Sequence, residues 1–310
     1  MTFFLIIFSV FAALIFIISA ICFYMVFYSP IRKGKGDSLI PVGEVYAPFR
    51  EQMAAWIKTA DDMPYKCVSI RSFDGLTLRG RYFEYSKDAP IELLMHGYRG
   101  TSRRDLSGGV ARCFSLGHSA IIVDHRGSGE SDGRVITFGE KESRDCEYWV
   151  NFILKEINRD AKIILTGISM GAATVLITSA RELPSNVIGV LADCGYSSAK
   201  EIIKKVLRDM KLPPHIFYPF IRLGGILFGH FDANKASPIE AMKKCRLPVI
   251  FFHGDTDDFV PYEMSTANFE ACASTNKRLV IIKGAGHGLC YPVDQDRYIA
   301  ELREFFDPLV

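Results

Sequence analysis

The 310-residue sequence predicts an α/β domain in which a mostly parallel β-sheet is covered by helices on both faces, with a small helical lid and an N-terminal transmembrane helix. Three observations carry that expectation. From residue 61 onward, short apolar runs alternate with amphipathic stretches, the pattern of strands joined by crossover helices. A Gly-x-Ser-x-Gly pentapeptide, Gly167-Ile168-Ser169-Met170-Gly171, sits where one apolar run passes into a helical stretch. Thr2 to Tyr28 holds no charged side chain and is dense in Phe, Ile, Leu and Val.

Residues 1–28 come first. As one helix they are long enough to cross about 30 Å of hydrocarbon, so a retained, single-pass anchor in the cell membrane is expected. A cleaved signal peptide fits less well: no basic residue precedes the stretch, its length exceeds an ordinary signal core, and no small-x-small cleavage site follows. The residues around Cys22 form no convincing lipoprotein box. Arg32, Lys33 and Lys35 follow the span, which by the positive-inside rule places the rest of the chain in the cytoplasm; a domain on the outer face is the alternative. Residues 29–60 read as a linker, with Gly, Pro and Lys between Ser29 and Pro48, and then a short amphipathic helix from Phe49 to Ala60.

Residues 61–310 are the expected main domain. Tyr65 to Phe73 and Leu76 to Tyr85, joined at Asp74-Gly75, read as a β-hairpin. Strands follow at Ile91 to Met95, Ala120 to Val123, Lys162 to Thr166, Val187 to Ala192, Pro248 to Phe252 and Leu279 to Ile282. Helices lie around Arg104 to Leu116, from Lys141 to Ile157, and from Ala172 to Arg181. Residues 197–245 form a longer excursion. Its centre, Leu212 to Gly229, is rich in aromatics and broken by Pro and Gly, so a pair of short helices is expected there and not one straight helix. As a lid, this segment would turn Phe217, Tyr218, Phe220 and Leu223 toward the substrate as an apolar pocket.

The pentapeptide has the form of a nucleophile elbow. Its serine takes a strained turn between strand and helix, and a side chain at Gly167 or Gly171 would collide with neighbouring backbone. Ser169 then stands at a helix N-terminus, where N–H groups favour developing negative charge. A serine nucleophile needs a base, an orienting acid and oxyanion donors. His287, in the glycine-rich loop after the last strand, is the expected base; among the other six histidines, His96 and His253 precede glycines at strand ends, where a brace is the ordinary role. The loop His253-Gly254-Asp255-Thr256-Asp257-Asp258-Phe259-Val260-Pro261 holds three carboxylates, and the pattern His-Gly-x-x-Asp-x-x-Val-Pro selects Asp257 as the acid. Asp255 and Asp258 read as a turn residue and a helix N-cap. Asp193, at the end of the strand after the nucleophile helix, is the alternative acid. The oxyanion donors are expected from the backbone N–H groups of Tyr98, in the turn His96-Gly97-Tyr98-Arg99-Gly100, and of Met170.

The order Ser169, Asp257, His287 resembles the α/β-hydrolase superfamily over about the last 250 residues, the size of one such domain. The finer similarity is to membrane-anchored bacterial hydrolases of the Bem46-like and serine-aminopeptidase-like branches. Within it, Val123-Asp124-His125-Arg126-Gly127-Ser128-Gly129-Glu130-Ser131-Asp132-Gly133 resembles the family's Asp-x-Arg-Gly-x-Gly-x-Ser loop, which supports the pocket floor. The resemblance implies an eight-stranded sheet, and a hydrolase that cleaves carboxylic ester or thioester substrates through an acyl-enzyme. A serine peptidase of the aminopeptidase type is the second reading, although no acidic pair to hold a substrate amine is evident. A non-catalytic, membrane-tethered binding protein is the third.

Composition sets bounds on these readings. With 49% hydrophobic residues the chain can bury a full core, and a net charge of +2 gives no reason to invoke nucleic acid. The eight cysteines are scattered at mostly apolar positions, which suits reduced, packed thiols. No cofactor and no metal site is expected. Arg99, Arg103 and Arg104, in and near the oxyanion turn, read as solvated surface charge, with contacts to anionic lipid headgroups or an anionic substrate as the alternative. The expected partners are therefore a small-molecule or lipid acyl ester and the membrane.

Overall fold

A computed structural model describes residues 2–30, 40–41 and 43–310. Arg32, Lys33 and Lys35, on which the expected orientation rests, lie outside the described residues, as does much of the linker.

The sheet contains β1 (Lys66–Arg71), β2 (Thr77–Phe83), β3 (Ile91–Met95), β4 (Ser119–Val123), β5 (Ile163–Ile168), β6 (Val187–Asp193), β7 (Val249–Gly254) and β8 (Lys277–Ile282). Their spatial order is β1-β2-β4-β3-β5-β6-β7-β8. The first two pairings, β1 with β2 and β2 with β4, are antiparallel, and the rest are parallel. The hairpin turn carries Gly75 at φ 87°, the left-handed backbone that its Asp-Gly pair predicts.

Among the described residues, eleven α-helices accompany the strands: α1 (Thr2–Val26), α2 (Arg50–Asp62), α3 (Ser102–Ser115), α4 (Glu142–Phe152), α5 (Met170–Thr178), α6 (Ala199–Asp209), α7 (Pro214–Gly229), α8 (Pro238–Met242), α9 (Glu263–Ala271), α10 (Cys290–Val293) and α11 (Gln295–Phe306). Strand side chains alternate between two cores. Leu93, Ile163, Leu165, Val190 and Phe251 pack against Trp149 of α4 and Val175 of α5. On the other face, Leu94 and Ile122 meet Leu106 and Val110 of α3, while Ile164, Leu191 and Phe252 meet Leu302 and Phe306 of α11. Strands β3, β4 and β7 are buried along their whole length, which is why their sequences are nearly uninterrupted apolar runs. Glu92 is the exception inside β3. Its carboxylate is paired with Arg112 and is bonded by His118 at 2.9 Å and Thr166 at 2.8 Å, so the buried charge is compensated.

The excursion between β6 and β7 corrects one expectation. Leu212 to Gly229 does not split into short helices: α7 runs continuously through Pro219 for 16 residues. Pro214 starts the helix, where a missing N–H loses nothing, and Pro219 forfeits a single bond one turn later. The glycines serve packing. A Cβ on Gly224 would lie 2.4 Å from the Ser19 carbonyl oxygen and 3.1 Å from Phe23 Cβ, so its absence lets α1 cross in contact. Phe16 and Phe23 flank Phe228 at ring separations of 5.1 and 5.6 Å. The last turns of α1 thus belong to an aromatic core shared with α6 and α7, whereas Phe3, Phe4, Phe8 and Phe11 are exposed.

Candidate active site

Ser169 joins β5 to α5 with φ 55° and ψ −116°, a conformation that non-glycine residues rarely adopt. The close packing expected of the elbow is present. A Cβ on Gly167 would lie 2.2 Å from the Gly171 carbonyl carbon, and one on Gly171 only 2.0 Å from the Met95 carbonyl oxygen. These approaches fix the serine at the end of β5, with its N–H bonded to the Asp193 carbonyl at 2.8 Å.

His287 arrives from the loop after β8. Its Nε2 lies 2.9 Å from Ser169 Oγ and its Nδ1 lies 2.7 Å from Asp257 Oδ2. With the proton on Nδ1 facing the carboxylate, Nε2 is left to accept from the serine hydroxyl. The loop is braced on three sides. Asp255 Oδ1 accepts the Gly284 N–H at 2.6 Å, Tyr46 Oη donates to the His287 carbonyl at 3.1 Å, and the Phe259 ring meets the imidazole edge-on at 5.0 Å. Burial pushes the Tyr46 phenol up to about 12, so it stays a donor.

Asp257 sits in a nest of donors. Oδ1 accepts the N–H groups of Phe259 and Val260 at 2.9 and 2.8 Å, and Oδ2 faces both His287 and, at 3.2 Å, His253 Nε2. Burial opposes its charge, but the bonds from His253 and His287 outweigh it and hold the carboxyl well below the usual carboxylate range. His253 braces the loop as its position suggested, bonding the Val260 carbonyl at 2.8 Å and Ser265 at 2.6 Å. Asp255 is the expected turn residue. Asp258 does not cap α9, which starts from Tyr262. Asp193 is turned elsewhere: Tyr298 Oη donates to its Oδ2 at 3.0 Å, and burial raises its pKa.

The turn after β3 lies against the nucleophile, since a Cβ on Gly97 would stand 3.6 Å from Ser169 Cβ. Tyr98 follows it, and Met170 is the first residue of α5. Beneath the turn, the His125 N–H donates to His96 Nε2 at 3.0 Å, so the His96 proton sits on Nδ1 and donates to the Gly97 carbonyl at 2.7 Å. Burial drives His96 down to about 4 and His125 to about 3. The neighbouring Asp124 accepts the N–H groups of Ser102 and Glu130, and Arg126 forks onto Asp145 with two bonds of 2.6 Å. The 123–133 loop is therefore a support beneath the site, as its resemblance implied.

A cavity of about 270 Å³ opens beside Ser169 and His287. Its apolar wall is Met53, Trp56 and Ile57 of α2 with Leu94, Ile168 and Tyr291. None of Phe217, Tyr218, Phe220 and Leu223 lines it, which corrects the expected lid pocket. The face of α7 is spent on α1 and α6, and Tyr218 is buried with its hydroxyl on Asn234 at 2.6 Å. The spacing of Met53, Trp56 and Ile57 on an amphipathic helix was the available signal for the wall of this cavity. Arg103 and Arg104 are not free surface charge either, being paired with Asp61 and Asp105. Among the described residues, Cys194, Asp257 and His287 offer metal-ligand atoms within 4.8 Å of one another, but the last two are engaged with each other. All eight cysteines are free thiols.

Residues 93–229 match a protein family described as the alpha/beta hydrolase fold. The chain is 28% identical over 195 residues to the uncharacterized protein YqkD of Bacillus subtilis, covering 63% of this chain and 64% of that one. It is 25% identical over 224 residues to the protein bem46 of Schizosaccharomyces pombe, covering 70% and 69%. The matched segment thus spans just under two thirds of YqkD. Among solved structures, the esterase Pf2001 of Pyrococcus furiosus superposes with a TM-score of 0.66 at 18% identity, over 91% of this chain and 99% of that one.

Proposed function

We propose that this chain, an α/β hydrolase of the bem46-like branch, is a serine hydrolase that cleaves carboxylic esters or thioesters of apolar acyl groups. One observation carries the proposal: a single imidazole bridges Ser169 at 2.9 Å and Asp257 at 2.7 Å. In this reading His287 takes the Ser169 proton as Oγ attacks the acyl carbonyl, and Asp257 steadies the imidazolium. The N–H groups of Tyr98 and Met170 hold the oxyanion. Collapse of the tetrahedral intermediate expels the alcohol or thiol, which takes the proton from His287. Water, activated by the same imidazole, then releases the acid.

The acyl chain lies along the apolar wall of Met53, Trp56 and Ile57. That the structural neighbour Pf2001 is an esterase agrees with this chemistry. Helix α1, apolar throughout and exposed over most of its length, supports a membrane-held enzyme meeting lipid-derived acyl groups. The test is labelling with a fluorophosphonate probe, together with turnover of short-chain nitrophenyl esters. The wild-type chain should do both, and Ser169→Ala should lose both, by about 10⁶-fold in kcat, with its circular dichroism intact. An unlabelled, inactive wild-type chain would overturn the proposal.

A further inference from the structure

The N-terminal helix and the proposed oxyanion turn are joined by side chains. The last carbonyls of any helix lack intrahelical partners. In α1 the Phe23 carbonyl takes the N–H groups of Phe27 and Tyr28 at 2.8 and 3.1 Å. The carbonyls of Val26, Met25 and Tyr28 are met from the turn after β3. Tyr98 Oη donates to the Val26 oxygen at 2.6 Å, and Arg99 Nη2 donates to Met25 and Tyr28 oxygens at 2.8 and 3.1 Å. A guanidinium at the negative end of a helix is favourable in its own right.

Arg99 pays no obvious heed to its own backbone preference. The turn is closed by the Gly100 N–H on the Gly97 carbonyl at 3.1 Å, which leaves Arg99 third in it at φ 52°. Turns with positive φ there ordinarily carry glycine or asparagine. Such strain persists where the surroundings over-determine it, and α1 supplies those surroundings. The two Arg99 bonds reach α1 and the residues just after it, the Tyr98 ring packs on Phe138 at 5.1 Å, and Phe138 packs on Phe27 at 5.7 Å.

We infer that Tyr98 and Arg99, through their side-chain bonds to Met25, Val26 and Tyr28, are positioning residues that make α1 a working part of the catalytic site. The inference rests on the serine-hydrolase reading. The residue whose N–H serves the oxyanion is thus held in place by its own hydroxyl on the N-terminal helix.

The test uses the full-length chain in lipid nanodiscs, with kcat and KM measured on a nitrophenyl ester for Tyr98→Phe, Arg99→Gly, Arg99→Lys and the double variant Tyr98→Phe/Arg99→Gly. Every variant keeps the loop N–H groups, and glycine suits the turn better than arginine. A purely conformational role for Arg99 therefore predicts unchanged or faster turnover in Arg99→Gly. Coupling to α1 predicts that kcat of the double variant falls about 10- to 100-fold while KM stays within about threefold. Arg99→Lys should recover part of the loss of Arg99→Gly, and Phe3→Ala at the exposed end of α1 should behave as wild type. Wild-type kcat in the double variant overturns the inference. Should that variant fail to fold, Tyr98→Phe, which removes one oxygen, decides in the same way. A wild-type chain that is inert to both ester and fluorophosphonate overturns the hydrolase reading itself, a separate outcome.

Discussion

The two sides of the candidate site are built differently. On the C-terminal side, Asp257 is held by Phe259 and Val260 two and three residues away, and its loop is fastened to the next one by Asp255 and Gly284. On the N-terminal side, every wall is made at long range: Tyr46 reaches His287, Trp56 stacks on Tyr291 at 5.3 Å, and Tyr98 reaches Val26. The acid loop is therefore a local construction, whereas the cavity wall and the turn after β3 lean on the first 60 residues; in the proposed mechanism that separates the orienting acid from substrate fit and oxyanion geometry. Damage to the first side should abolish turnover, and damage to the second should reshape it.

The sharpest way to break that comparison is to exchange the acids. Asp257→Asn should lower kcat about 10⁴-fold, because the imidazole loses its orienting charge. Asp193→Asn, whose carboxyl faces Tyr298 and not His287, should cost less than about tenfold. Equal losses would show that the relay is shared between the two loops. A smaller effect is expected at the pocket wall. Trp56→Ala should lower kcat/KM for a long acyl ester roughly 10- to 100-fold and spare an acetyl ester. Phe217→Ala should change both by less than about twofold. A reversed ranking, read from an ester chain-length series, would return the pocket to α7.

The smallest expected effect is on stability. His96 and His125 stay neutral in the folded chain, so below about pH 6.5 the unfolded chain binds protons that the folded one refuses. Stability should be full above that pH and fall as pH drops toward 4, seen as a declining urea midpoint. Asp257, whose pKa is depressed, adds a further loss only below the ordinary carboxylate range. His125→Gln should make the decline shallower. A midpoint flat between pH 6.5 and 4.5 would show that this pair is not what limits acid stability.

How much of this was legible follows the same division. The elbow, the acid loop and the base loop are contiguous motifs whose spacing encodes their geometry, so Ser169, Asp257 and His287 could be picked out from residues alone and are brought together in the structure. Strand positions were readable for a similar reason, since buried parallel strands are bare apolar runs. The pocket was not. Aromatic residues in α7 signalled burial but not against what, and Phe228 packs on Phe16 and Phe23 of a helix read as standing apart. The continuity of α7 through Pro219 was missed because a proline near a helix start is far less disruptive than one at its centre.

The crossing of α1 and α7 has a mechanical consequence. Phe16 precedes Val26 by ten residues, about 15 Å of helix, and it still touches Phe228. Tyr28 continues the attachment with a β-bridge to Val135. A helix gripped over that length offers no swivel, so if α1 crosses a bilayer the body does not dangle from it. The mouth of the cavity would then stand at one fixed height and tilt above the lipid, like a crane bolted at its base.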